Sequence, residues 1–87
     1  MVMTVILTND AEVDFLALGV VLKARVKDIF TRLEKWPEVS GAKPLGYELQ
    51  GHSRIRTGRY RVVFRVEGET VIVTKIDDRK DVYKKKR

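Results

Sequence analysis

The chain has 87 residues, 44% hydrophobic and 34% charged, a composition that suits one folded domain spanning residues 1–87 and excludes a disordered protein. It contains no cysteine and a single histidine, His52, which excludes a disulfide framework, a thiolate zinc site and a histidine-rich metal cluster. The net charge of +6 lies wholly in the second half: residues 1–43 carry six basic and six acidic side chains, residues 44–87 twelve and six.

In chain order, the β-prone run "MVMTVILT" predicts a buried first strand that ends at the turn formers Asn9 and Asp10. Either of these can cap a short helix through Phe15 to Leu18, with Gly19 as its C-terminal stop. From Val20 the apolar residues Leu22, Val26, Ile29, Phe30 and Leu33 recur at helical spacing, and charged residues fill the other side. This predicts an amphipathic helix that Pro37 ends near Trp36, with Trp36 as a core or helix-end anchor. "PEVSGAKPLG" reads as a loop. Three strands follow, at about 47–56, 59–66 and 70–77 by their β-prone alternation, joined by turns at Thr57-Gly58 and Glu67-Gly68-Glu69. The tail "DRKDVYKKKR" is charged. The order β-α-α-β-β-β implies an α+β fold, an antiparallel sheet with two N-terminal helices packed on one face.

No apolar run is long enough to span a bilayer, and the N-terminus lacks the basic flank of a signal peptide. The expectation is a cytoplasmic protein with no membrane partner. A sequence pI near 9.8 with the charge on one side fits a polyanion partner, most often nucleic acid, against the alternative of a basic surface that serves solubility.

The stretch "HSRIRTGRYRVVF" concentrates that charge. With Thr57-Gly58 as the hairpin turn, Arg56 faces Arg59, Ile55 faces Tyr60 and Arg54 faces Arg61. Alternation then puts Ile55, Tyr60, Ser53, Val62, Phe64 and Val66 on a face suited to the helices, and Arg54, Arg56, Arg59, Arg61 and His52 on the other. Like charges opposite one another destabilise a hairpin unless an anion offsets them, and the arginine fork matches phosphate. The second face therefore reads as a phosphate-binding surface; the alternative is a solvated sheet face.

Arginine stays protonated, so it orients phosphate and neutralises charge but cannot act as a base. Proton transfer falls to His52, Lys80, Tyr83 or the acidic residues Asp77, Asp78 and Asp81. Asp77 and Asp78 are adjacent and point to opposite sides of a continuing strand, which disfavours a two-metal centre. No metal or other cofactor is expected, and cleavage through RNA's own 2′-OH is the chemistry this inventory permits.

The combination "KPLGYELQGHSRIRTGRYRVVFRV", "VIVTKI" and "RKDVY" resembles the RelE/ParE superfamily of toxins from bacterial and archaeal toxin–antitoxin modules over essentially the whole chain. The resemblance implies one of two activities on one scaffold: RelE-like members cleave mRNA on the ribosome without a metal, and ParE-like members poison DNA gyrase. It implies a cognate antitoxin as partner, and the RelE-like branch adds the ribosome and mRNA. An inactive relative that binds only its antitoxin is a further alternative. By the same resemblance Arg61 contacts the scissile phosphate, Tyr83 is the general base, Arg79 is the arginine that precedes it, Arg54 stands where a lysine is common, and His52 stands at another position where a lysine or a histidine is used. From the residues themselves, Arg56 and Arg59 of the arginine face and Lys80 of the tail are expected as further RNA-phosphate contacts. Positive charge around Tyr83 favours its anion. Arginine at position 54 stabilises charge but does not readily donate a proton, which leaves His52 as the acid for the leaving 5′-oxygen. Many relatives carry Gly-His where this chain has Asp77-Asp78.

Overall fold

Why the chain begins as a strand is plain from Thr4-Val-Ile-Leu7: β-branched residues fit the pleated surface. In the computed structural model, which describes residues 2–78, these four residues form β1 (Thr4–Leu7). Val5 and Leu7 pack against the core, and Ile6 is exposed on the far side. Thr8 then caps α1 (Asn9–Leu16): its Oγ1 accepts the Ala11 N–H at 3.2 Å. The cap is thus Thr8, just before the expected Asn9 or Asp10, and Asp10 and Glu12 lie in the first turn, where the helix dipole favours negative charge.

Gly19 does not stop α1. The helix closes on Ala17, which has ordinary right-handed geometry, so no left-handed residue is needed, and Gly19 is the N-cap of α2 (Val20–Leu33). Val26, Ile29 and Leu33 are buried on α2, and Leu22 and Phe30 pack beside them, as the spacing predicts. The helix ends three residues before Trp36 because its last turn tightens: Glu34 N–H donates to Thr31 O and Trp36 N–H to Leu33 O. Trp36 meets Phe64 edge to face at 5.4 Å, which confirms it as a core anchor.

The segment read as a loop contains a two-residue strand, β2 (Lys43–Pro44), and the first part of the expected strand 47–56 is instead a 3₁₀ turn over Tyr47–Leu49. The remaining strands are β3 (Ser53–Thr57), β4 (Tyr60–Glu67) and β5 (Thr70–Asp78). They form one sheet in the order β1-β5-β4-β3-β2. The α+β arrangement is as expected, with one difference in the sheet: β1 pairs parallel to β5, and every other pairing is antiparallel.

The first hairpin turns at Gly58-Arg59, not Thr57-Gly58, with Thr57 opposite Tyr60. Gly58 has φ 59° and Arg59 does not share that sign, the pattern of a turn whose first central residue must be glycine. Gly68 repeats it at the second hairpin, with φ 60° and Glu67 opposite Thr70.

β5 has one extra residue relative to β4: Val63 is opposite Lys75 and Phe64 opposite Val73, so Thr74 is bulged. Here β1 has ended, and α1 and its cap take over the outer edge of β5. Thr8 N–H donates to Val73 O, Thr8 Oγ1 to Thr74 O at 3.3 Å, and Ile76 N–H donates to Asp14 Oδ2 at 3.1 Å. The bulge also reverses the alternation, so that Val71 and Val73 before it and Ile76 after it all enter the core.

Candidate functional site

With the helices and core on one side of the sheet, the other side is assembled from the residues that alternate outward: Lys43 on β2, Arg54 and Arg56 on β3, Arg61, Val63 and Arg65 on β4, and Lys75 and Asp77 on β5. Their register differs from the expected one. Arg56 is opposite Arg61 and Arg54 is opposite Val63, so the sheet carries one facing arginine pair where two were expected. The cause is the turn: moving it by one residue shifts every cross-strand partner but keeps each strand's own alternation, so Arg54, Arg56 and Arg61 stay on the outer face.

Arg59 leaves that face. It sits in the turn with its side chain 67% exposed and reaches Asp78, on the core side of β5, across 3.4 Å. Arg56 is exposed and borders a groove of about 330 Å³ between α2 and β3, shared with Arg25, Asp28 and Arg32. Arg54 is half-buried and neighbours Lys43 across the β2–β3 pairing. Val63, fully buried, lies outside the core cluster and on this outer face between Arg54 and Lys75 in register.

One polar contact of the face was not foreseen from the sequence. Arg61 is opposite Asp77, and the two form a planar fork: Nε donates to Oδ1 at 2.9 Å and a terminal nitrogen to Oδ2 at 3.0 Å. Both side chains are largely withdrawn from solvent, at 19% and 9% exposure. The signal in the sequence was the Asp77-Asp78 pair itself, but which of the two meets Arg61 depends on the bulge at Thr74. Arg65 at the far end pairs with Glu67 at 2.7 Å. Lys43 and Lys75 are exposed basic residues of the face that the hairpin pattern did not include.

His52 precedes β3 by one residue and is held by its backbone: its N–H donates to Leu49 O and its carbonyl accepts from Leu45 N–H, each at 2.9 Å. The residue is half-buried, and among the described residues its Nδ1 is enclosed with no hydrogen-bond partner. Arg79, Lys80 and Tyr83, as well as Asp81, lie outside the described residues. Among the described residues no three His, Cys, Asp or Glu side chains come together as metal ligands, and no helix is long and apolar enough to cross a membrane. The arrangement offers a cationic, fork-donating surface with His52 at its edge, able to hold phosphate and to neutralise developing negative charge.

Comparison with known proteins gives a consistent picture. Residues 5–83 match the model of the ParE toxin of the type II toxin–antitoxin system parDE. The chain is 37% identical to Toxin RelG of Mycobacterium tuberculosis over 67 residues, 75% of this chain and 76% of that protein. It superposes on the crystal structure of the toxin–antitoxin complex RelBE2 from M. tuberculosis with a TM-score of 0.79 and 30% identity, covering 90% of this chain and 99% of that one. The isolated E. coli RelE toxin shares the fold, with a TM-score of 0.73 at 16% identity over 98% of this chain and 99% of that one.

Proposed function

This chain belongs to the ParE toxin family of type II toxin–antitoxin systems, within the RelE/ParE superfamily, and from that premise we propose that it is a ribosome-dependent endoribonuclease that cleaves mRNA in the cytoplasm. The observation that carries the reading is the separation of the two sheet faces. One side is an apolar core packed by the helices, and the other gathers Arg54, Arg56, Arg61, Lys43 and Lys75.

In this reading the 2′-OH of the RNA attacks the adjacent phosphorus, Tyr83 as tyrosinate takes its proton, and the bond to the 5′-oxygen breaks. His52 supplies the proton to that oxygen, leaving a cyclic phosphate and a 5′-hydroxyl. Arg61 and Arg54 neutralise the charge that builds on the phosphate oxygens, a contribution that does not require proton transfer from either. Arg56, Arg79 and Lys80 hold the flanking backbone, and Arg59, turned away to Asp78, drops out of that set. The solved relatives that are toxin–antitoxin complexes support a cognate antitoxin as the controlling partner.

A second reading is favoured by the identity of the matched family model, that of a ParE toxin: binding and poisoning of DNA gyrase on the same scaffold. The two separate in one experiment. After induction in a host without the antitoxin, primer extension on a reporter mRNA should reveal new 5′ ends only where ribosomes translate it. Intact mRNA together with inhibited supercoiling by purified gyrase would replace the first reading by the second.

A further inference from the structure

The outer face contains an anion of its own. Arg61 is forked to Asp77 by two charge-assisted hydrogen bonds of 2.9 and 3.0 Å, the same planar pairing that arginine makes with a phosphate edge. Three features of the fold converge to make it. β4 and β5 put the two residues opposite one another, the bulge at Thr74 turns Asp77 to the outer face, and the pair is withdrawn from solvent at 19% and 9% exposure. A carboxylate with two coplanar oxygens stands where an incoming phosphate would present two of its own.

We propose that Asp77 is an internal counter-anion that competes with RNA phosphate for the Arg61 guanidinium, and so restrains binding of free RNA while it keeps Arg61 in position. The inference rests on the phosphate-binding reading of this face. A phosphate that approaches Arg61 either displaces the carboxylate or shares the guanidinium with it, and in both cases it meets the like charge of Asp77 at short range. RNA that touches this face alone therefore binds weakly. Binding strengthens where contacts elsewhere on a large ribonucleoprotein supply the free energy for the exchange. Asp77 is in this sense a positioning residue that acts through Arg61.

The test uses the full chain and a mixed-sequence single-stranded RNA of about ten nucleotides, within the span of one small binding face. Affinity is measured for wild type, Asp77→Asn, Arg61→Ala and the double variant across roughly 0.05–0.2 M salt, with circular dichroism to confirm folding. Asp77→Asn should bind about tenfold tighter than wild type. Its logarithmic salt slope should steepen by about 0.7, one further phosphate contact on a single strand. The gain should vanish when Arg61 is alanine. RNA binding that Asp77→Asn leaves unchanged or weakens overturns the inference alone, as does a gain that persists without Arg61. No RNA binding by any of the four proteins overturns the phosphate reading and the inference with it. Should Asp77→Asn fail to fold, the wild-type chain decides: the Arg61 Nε–H resonance should shift on saturation with the RNA, and a resonance that stays in place refutes the exchange.

Discussion

Replacing Arg61 by alanine removes one member of a shielded ion pair, and the consequence for stability can be worked from the geometry. On sequence alone Arg61 reads as a solvent-facing strand residue, whose truncation changes stability by less than about 0.5 kcal/mol. The fork to Asp77 changes that expectation, because the carboxylate is 9% exposed and loses both of its hydrogen bonds to the guanidinium. An exposed ion pair contributes about 0–1 kcal/mol, and breaking a fully buried one costs about 3–5 kcal/mol. With Arg61 still 19% exposed, the pair lies between these limits, at about 2 kcal/mol. For a domain of this size each kcal/mol moves the thermal midpoint by roughly 4–8 °C, so Arg61→Ala should lower it by about 8–16 °C. Asp77→Asn in the same chain should restore much of the loss by removing the stranded charge. Thermal and urea unfolding of the four members of the cycle measure the coupling, expected at about 1–2 kcal/mol. Additivity within about 0.5 kcal/mol, or an unchanged midpoint in Arg61→Ala, would refute the reasoning that the fork is a working contact of the folded chain.

Other expectations follow from single groups. Asp14→Ala strips the acceptor from the Ile76 N–H beside the bulge and should destabilise the chain by about 1–3 kcal/mol, with faster hydrogen exchange at that amide; Asp14→Asn, which keeps an acceptor, should lose less. Tyr83→Phe should slow ribosome-dependent mRNA cleavage by about 10²–10⁴ with little change in ribosome affinity, and an equal rate in the variant would remove Tyr83 from the role of base. The complex with an acidic antitoxin segment should weaken as salt rises from about 0.1 to 1 M, where the screening length falls from roughly 10 to 3 Å; an affinity independent of salt would move the contact away from the arginine face.

Local periodicity was enough to read much of this molecule. The spacing of Leu22, Val26, Ile29, Phe30 and Leu33 marked the buried side of α2, and the alternation in "SRIRT" and "YRVVFRV" separated Ile55, Val62 and Phe64 from Arg54, Arg56 and Arg61, because which way a side chain points follows from the backbone period of its own strand. Relations between strands were not legible in the same way. The hairpin register depended on which residue takes the positive φ, and Gly58 takes it as the first central residue of the turn, which moved Arg59 off the face. That β1 lies parallel to β5 is decided by where the chain returns after two helices and three further strands, a contact between residues some 66 positions apart that no local pattern encodes. The fork between Arg61 and Asp77 depends on the bulge at Thr74. In "TVIVTKIDD" an unbroken alternation would have sent Asp77 to the same side as Val71 and Val73, and Asp78 to the other. One unpaired residue, held where Thr8 and Asp14 satisfy the exposed edge of β5, exchanges the two carboxylates and sets Asp77 on Arg61. Side-chain alternation is a property of a strand, whereas register and bulges are properties of a pair of strands, and only the assembled sheet determines them.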